Sequence, residues 1–558
     1  KMINKVITLF KRITSHPQYL YWYAVAVLLL PNVALCFTEG MTLWACVANV
    51  LLPLGLYMWL MAFSAKPGKM VWVLFPLIFF AAFQMVLIYL FGQGVIAVDM
   101  FLNVVTSNPG EIFELLDNLI PAVMGVFVIY LPLLAWGVLS ARSRKRVEWP
   151  LRRYRYWGAW VALGGLVCIC VANLNDSRYR LRDHLYPANV VYNLGLAVQR
   201  SWISAHYEES SADFRFHSRM THPADSMEAY VMVIGETARA HNFGLYGYSR
   251  NTTPLMGSAE GVTAFRHATT QSNTTHKSVP MLLSAATADH YDRLYHERGV
   301  LAAFREAGYY TVFISNQLQN HSFVDFLGRQ ADSTIFVKAM FPSGTNVHDG
   351  AMLSMVKDVL AQRRNKVLIV LHTYGSHFDY SERYPRQMAH FLPDKPTEAR
   401  YENRVSLVNA YDNSIRYTDW LLYRLTRLLS EYRGQSAMAY TSDHGENIFD
   451  DQRRLFLHAS PQASEYELRV PFIVWQSDAY RRAYPAVGKA LQANKNRAVQ
   501  TSASFFHTIL NLAGLDTPCY DATLSVASPA YRERPLQYLT DHNEPMPISL
   551  QEHGSVHP

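Results

Sequence analysis

Five apolar stretches without one Asp, Glu, Lys or Arg fill the first third of the chain: Tyr19 to Phe37, Met41 to Phe63, Met70 to Val98, Asn118 to Ser140, and Tyr156 to Leu174. Each approaches or exceeds the ~20 residues that a helix needs to cross ~30 Å of hydrocarbon. Five in succession predict a membrane domain of five transmembrane helices rather than the buried helices of a soluble fold. The third stretch is too long for one straight span, so its end, near "GQG", is expected to leave the bilayer. The first resembles a signal peptide, but its length and the spans that follow favour an uncleaved anchor.

Charge fixes the orientation. The segments before the first span and after the second and fourth carry the basic residues, with seven in "ARSRKRVEWPLRRYRY"; the alternate loops hold Glu39, Asp99, Glu111, Glu114 and Asp117 and no Lys or Arg. The positive-inside rule then places the N-terminus in the cytoplasm and everything after the fifth span outside. Residues 1–173 hold 13 of the 51 Lys+Arg but only 6 of the 44 Asp+Glu, so the net charge of +7 belongs to that third and the remainder is balanced. That distribution argues against nucleic acid as a partner. The spans also lack the paired internal charges of a transporter. Cys36, Cys46, Cys168 and Cys170 lie in the spans and leave Cys519 alone in the exported part, where no disulfide can form.

Three regions follow: a membrane domain over 1–174, a connector over 175–225 and an exported domain over 226–558. The connector contains "YPANVVYNLGLAVQRSW", whose apolar spacing predicts a helix along the membrane surface. Beyond it, continuous apolar runs alternate with helical patterns: "AYVMVIGE", "YTVFISN", "KVLIVLHTY", "SAMAYTSD" and "RVPFIVWQS". This alternation predicts an α/β domain with a mostly parallel sheet covered by helices. Ligands of such sheets bind beyond the C-terminal strand ends. Those ends supply Glu236, His372 with His377, and Asp443-His444, while His458 comes from a following loop. Carboxylate and imidazole are the ligands zinc or manganese takes where cysteine is absent. Singly, each is more often a structural residue, and "SDHG" is also a reasonable turn; their joint placement at three strand ends suggests a metal centre. The hydroxyl-rich "TTQSNTTHKSVPMLLSAA" offers a nucleophile beside a helix N-terminus.

The segments "VIGETARAHNFGLYGYSRNTTP", "SNTTHKSVP", "LHTYGSHFDYSERYP", "TSDHGEN" and "LHASP" together resemble the phosphoethanolamine transferases of Gram-negative envelopes. That group lies in the alkaline phosphatase/sulfatase superfamily and includes the lipid A modifying enzymes of polymyxin resistance. The resemblance spans nearly the whole chain and implies an alkaline phosphatase-like fold in the inner membrane and periplasm. It implies zinc held by Glu236, the Thr275 hydroxyl, Asp443 and His444, with Thr275 as the nucleophile five residues before Pro280. By the same likeness His377 and His458 contact the transferred phosphate or a second zinc. His372 belongs to the same loop and to the substrate site, and Asn103, Ser107 and Glu111 of "NVVTSNPGE" belong to a lipid-binding helix. The implied reaction moves phosphoethanolamine from phosphatidylethanolamine to a lipopolysaccharide acceptor, lipid A or core sugar.

The chain also departs from the family. No cysteines bracket the nucleophile loop. Asn316 and Gln317 stand where some lipid A modifying members have a lysine, as in members that modify core sugars. His276 and Lys277 follow the nucleophile and could polarise it. Glu446 is expected to begin a helix or stand behind the metal ligands. Two other readings compete: a phosphoglycerol transferase of the lipoteichoic acid type, and a catalytically silent membrane-anchored binding protein. A sulfatase would need Cys or Ser in C/S-x-P-x-R, which the nucleophile loop lacks.

Overall fold

The computed structural model describes residues 16–548 except 92–93, 107–108, 176–178, 397 and 461, and leaves the side chains of 90–91, 103–106 and 109–121 undescribed. The expected lipid contacts Asn103, Ser107 and Glu111 therefore fall outside the described side chains. The chain divides into two compact units, one of 1–102 with 115–199 and the other of 103–114 with 200–558.

The first unit is helical. Its elements are α1 (Pro17–Thr38), α2 (Leu43–Met61), α3 (Pro67–Val73), α4 (Phe75–Phe91), α5 (Val98–Thr106) and α6 (Pro109–Arg142), whose residues 103–114 fall in the other unit, and α7 (Leu151–Asn175). Among the described residues, four helices are long and apolar enough to cross a membrane, and a fifth span results if the pair 67–73 and 75–89, bent by 67°, counts as one. The bend is additional to the expectation for the third stretch, whose helix ends at Phe91, directly before "GQG". Pro76 explains it, because proline has no N–H to offer Trp72 and its ring crowds that carbonyl.

Helices α2 and α7 touch backbone to backbone. A Cβ on Gly55 would lie 2.2 Å from Ala162 N, one on Gly158 would lie 2.8 Å from Gly55 O, and one on Gly165 would lie 2.4 Å from Leu52 N. Small residues at a helix crossing permit this approach, which gains dispersion where no hydrophobic effect between spans exists. Next comes α8 (Ala188–Ala205), which buries Asn189 and Asn193 and exposes Val191, Leu194, Val198 and Trp202.

The second unit is built on a seven-stranded sheet: β1 (Glu228–Gly235), β2 (Val262–Ala264), β3 (Tyr310–Ser315), β4 (Ser333–Phe336), β5 (Lys366–His372), β6 (Gln435–Ser442) and β7 (Phe472–Gln476). Their spatial order is β2-β7-β6-β1-β5-β3-β4, with β7 antiparallel to both neighbours and the other pairings parallel. All five expected strands are present; β2 and β4 are additional edge strands. Every residue of β1 and β5 is buried, as continuous apolar runs in a sheet covered on both faces require. Two helices matter for the site. The short α9 (Thr275–Leu283) buries its last seven residues, and α10 (Arg404–Ser430) lays Leu407, Tyr411, Ile415, Leu422 and Leu429 into the core.

Register decides what meets at the sheet edge. Gly235 of β1 pairs with Ser442 of β6, and Ile234 pairs with His372 of β5. The next residues on the two inner strands are Glu236 and Asp443, which therefore leave the sheet side by side.

Candidate functional site

The turn after β1 is strained and tied down at several points. Thr237 has φ of 62°, a conformation costly for a β-branched residue. Its N–H donates to Asp443 Oδ1 at 3.0 Å, its carbonyl accepts from Tyr411 OH at 2.7 Å, and that hydroxyl accepts from Arg239 N at 2.9 Å. Gly375 closes the other side at φ of 53°, where a Cβ would meet Glu236 O at 2.5 Å; no other residue type fits there without moving the backbone.

These constraints aim the side chains. Asp443 Oδ1 accepts two backbone N–H groups, from Thr237 and, at 2.7 Å, from His444, and is thereby fixed. The remaining oxygen, Oδ2, is buried, accepts no hydrogen bond from the described residues, and lies 3.3 Å from His444 Nε2. His444 Nδ1 is 2.9 Å from Gly445 O, a partner that keeps Nδ1 protonated and leaves the Nε2 lone pair facing the cluster. Thr275 opens α9, and its Oγ1 is 3.1 Å from Glu236 Oε1 and 3.1 Å from His444 Nε2. Ser278, one turn later, donates to Asp443 O at 2.5 Å and locks the helix to the ligand loop.

Glu236, Asp443 and His444 are all buried, and each offers a ligand atom within 4.8 Å of the others. Burial pushes the Asp443 carboxyl upward; it opposes protonation of His444, yet the Asp443 and Glu236 carboxylates raise that imidazole above its ordinary value. Two buried carboxylates, an imidazole lone pair and a hydroxyl, with one carboxylate oxygen unpartnered, make a donor set that fits a zinc ion.

Two histidines line the approach. The His458 ring lies 4.1 Å from His444 and 6.3 Å from His377, centre to centre. Burial lowers His377 to about 4 and His458 to about 3, with His444 and His276 adding to the depression of His458. Glu446 accepts no metal-facing role here. Its Oε1 is 3.1 Å from His458 Nδ1, and burial raises it well above the carboxylate range. No helix begins at Glu446; the chain continues into the two-residue strand Asn447–Ile448, so the helix-start reading of that residue is replaced by this histidine contact.

Other positions differ from simple sequence reading. His372 is buried with Nδ1 3.1 Å from Ser315 Oγ, and Nε2 accepts no bond from described residues. Lys277 directs its ammonium to the carbonyls of Thr540 and Asp541, at 3.0 and 3.2 Å. Gln317 is turned onto Glu236, donating to Oε2 at 3.0 Å. Asp349 had no sequence signal at all. It accepts from Asn316 Nδ2, Tyr374 N and Gly375 N at 2.8 to 2.9 Å, and so joins the ends of β3 and β5.

A family model described as sulfatase matches residues 228–515, which hold the seven-stranded sheet and Glu236, Thr275, His372, His377, Asp443, His444 and His458. The chain belongs to the sulfatase family. It is also 26% identical over 498 residues to phosphoethanolamine transferase EptA of Escherichia coli strain K12, covering 85% of this chain and 87% of that protein. In fold it is similar to the integral membrane protein lipooligosaccharide phosphoethanolamine transferase A from Neisseria meningitidis. That match has a TM-score of 0.74 at 22% identity over 91% of this chain and 97% of the other. The periplasmic domain of EptC from Escherichia coli in complex with Zn shares the fold of the second unit. Its TM-score is 0.53 at 24% identity over 61% of this chain and 94% of that domain. The resemblance read from the five motifs is thus met by relatives that carry the phosphoethanolamine transferase name, and the membrane-plus-α/β fold class is met by the Neisseria structure.

Proposed function

We propose that this chain is a zinc-dependent phosphoethanolamine transferase of the inner membrane. Its N-terminus is cytoplasmic and its domain over 226–558 periplasmic. The donor is phosphatidylethanolamine and the acceptor a lipopolysaccharide group, lipid A or core sugar. One observation carries the reading: the Thr275 hydroxyl stands at the start of α9, 3.1 Å from both Glu236 Oε1 and His444 Nε2.

Glu236, Thr275, Asp443 and His444 would hold the zinc, which lowers the pKa of a hydroxyl and neutralises charge on phosphoryl oxygens. The chain's own groups then do the following. The α9 N-terminus directs N–H groups and its positive dipole end at an incoming phosphate. Glu236 Oε1 is within hydrogen-bond reach of the Thr275 proton. Thr275 Oγ attacks phosphorus as Glu236 takes its proton, the bond to the diacylglycerol oxygen breaks, and the neutral ring of His458 or His377 relays that proton to the departing oxygen. A phosphoethanolamine–threonine ester remains. An acceptor oxygen attacks it, gives its proton back to the histidine, and Thr275 is released. Glu446, bonded to His458, orients that ring throughout.

The test is incubation of the solubilised protein with head-group-labelled phosphatidylethanolamine or phosphatidylglycerol, followed by peptide mapping. Label from the ethanolamine lipid on the Thr275 peptide is expected. Label from the glycerol lipid alone would replace this reading with phosphoglycerol transfer. No label from either, with all effects of the protein intact in Thr275→Ala, would make it a binding protein.

A further inference from the structure

Two thiols lie close together outside the site. Cys36, in the last turn of α1, and Cys46, in the first turn of α2, face each other across the short turn 39–42. The Cys36 sulfur lies 3.6 Å from Cys46 O, and the Cys46 sulfur lies 3.8 Å from Cys36 O. Asn49 Nδ2 is 3.9 Å from the Cys36 sulfur. Both residues are half-buried and neither is bridged. Each thiol is thus turned onto the other residue's backbone, so the two side chains meet across the turn, the proximity that a disulfide requires. The remaining cysteines have no comparable pairing: Cys168 and Cys170 are two residues apart on α7, a spacing that faces them away from each other, and Cys519 belongs to the other unit.

We propose that Cys36 and Cys46 form a disulfide in the folded protein. This rests on the orientation given above, which puts the turn carrying Glu39 on the exported, oxidising side. Oxidation breaks two S–H bonds and forms one S–S bond. The two electrons and two protons pass to a thiol–disulfide exchange protein of that compartment, whose own disulfide becomes two thiols by way of a mixed disulfide. The bond fixes the α1–α2 turn, and with it Glu39, whose Oε1 accepts from Gly94 N at 2.5 Å. It compensates in the helical unit for the absence of disulfides elsewhere in the chain.

The experiment uses the full chain. Cells are quenched with a membrane-permeant alkylating reagent under denaturing conditions, and peptides are mapped with and without prior reduction. Expected is alkylation of Cys168, Cys170 and Cys519 alone before reduction, of all five cysteines after it, and a linked peptide lighter by two hydrogens. A parallel arm treats intact spheroplasts with a membrane-impermeant maleimide. Labelling of Cys36 and Cys46 only after reduction supports the bond. Labelling without reduction overturns it while keeping the turn on the outside. Labelling by the permeant reagent alone, before and after reduction, overturns the orientation on which it rests.

Discussion

The side-chain amide of Gln317 donates to Glu236 Oε2 and to the Thr373 carbonyl, each at 3.0 Å. It therefore ties a carboxylate after β1 to the strand end of β5 and leaves Oε1 to the hydroxyls of Thr275 and Thr237, the latter at 2.9 Å. Gln317 positions Glu236 without touching the reacting atoms. Gln317→Ala should weaken zinc binding about 10–100-fold, the usual cost of losing a group that orients a ligand, as read by competition with a chromogenic chelator. Gln317→Glu should weaken it further, by setting a second carboxylate against Glu236. Unchanged affinity in both variants would show that the backbone alone holds the ligand.

Thr275→Ala should abolish transfer, by about 10⁴-fold or more, as expected for loss of a covalent nucleophile. The side chain is only part-buried, so the fold should survive and thermal unfolding should shift little. Thr275→Ser keeps the hydroxyl and should keep measurable activity. Intact-mass detection of the ester in wild type and its absence in the alanine variant is the check.

Asp443→Ala removes the unpartnered Oδ2 and also the acceptor of two backbone N–H groups. Stoichiometric zinc should be lost, and chelation of the wild-type protein should abolish turnover. Metal content by mass spectrometry decides it: full zinc occupancy in the variant would remove Asp443 from the ligand set. Glu446→Gln should keep zinc, since its contact is with His458.

The strands were legible because β1 and β5 are unbroken apolar runs, and a sheet buried on both faces leaves no alternation to misread. The edge strands β2 and β4, of three and four residues, were too short to rise above loop composition. Glu236, Asp443 and His444 could be placed at one edge because their strands are adjacent and parallel, so strand ends imply proximity. Gln317 and Asp349 could not. Their partners lie 81 and 25 residues away, and nothing local marks a glutamine that orients a carboxylate or an aspartate that braces a turn. Pro76 was visible, but hydropathy runs straight through it. The glycines of α2 and α7 were equally plain, yet their meaning comes only from the helix across the gap.

That gap sets a stability prediction. Gly158→Leu places a Cβ 2.8 Å from Gly55 O and 2.8 Å from Trp59 N, both backbone atoms that cannot swing aside. Overpacking of this kind costs about 1–3 kcal/mol, and more where backbones must part. The variant should melt at lower temperature in detergent and accumulate poorly in membranes. A Cβ on Gly164 of the same helix meets nothing within 4 Å, so Gly164→Leu should melt like wild type. Equal melting of the two variants would mean that α2 and α7 do not pack this closely.

Acid stability should depend on Glu228, at the far end of β1 from the site. Burial alone would raise its pKa, but His222, Ser226 and Tyr484 hydrogen bonds and the His222 charge bring it down to about 2. Lys366 Nζ is 3.1 Å from Oε2, and Tyr309 OH donates to the same oxygen at 3.0 Å. A carboxyl with a folded pKa below its unfolded value of 4.5 stabilises the fold fully above that value. The contribution fades as pH falls from about 4.5 towards 2. A shift of this size corresponds to about 3 kcal/mol at neutral pH. Glu228→Gln should therefore lower stability at pH 7 and flatten the loss between pH 4.5 and 2, measured by chemical denaturation of the α/β domain within the full chain. A variant that keeps the wild-type slope would show that other carboxylates carry the acid sensitivity, and that Lys366 is paired well enough without Glu228.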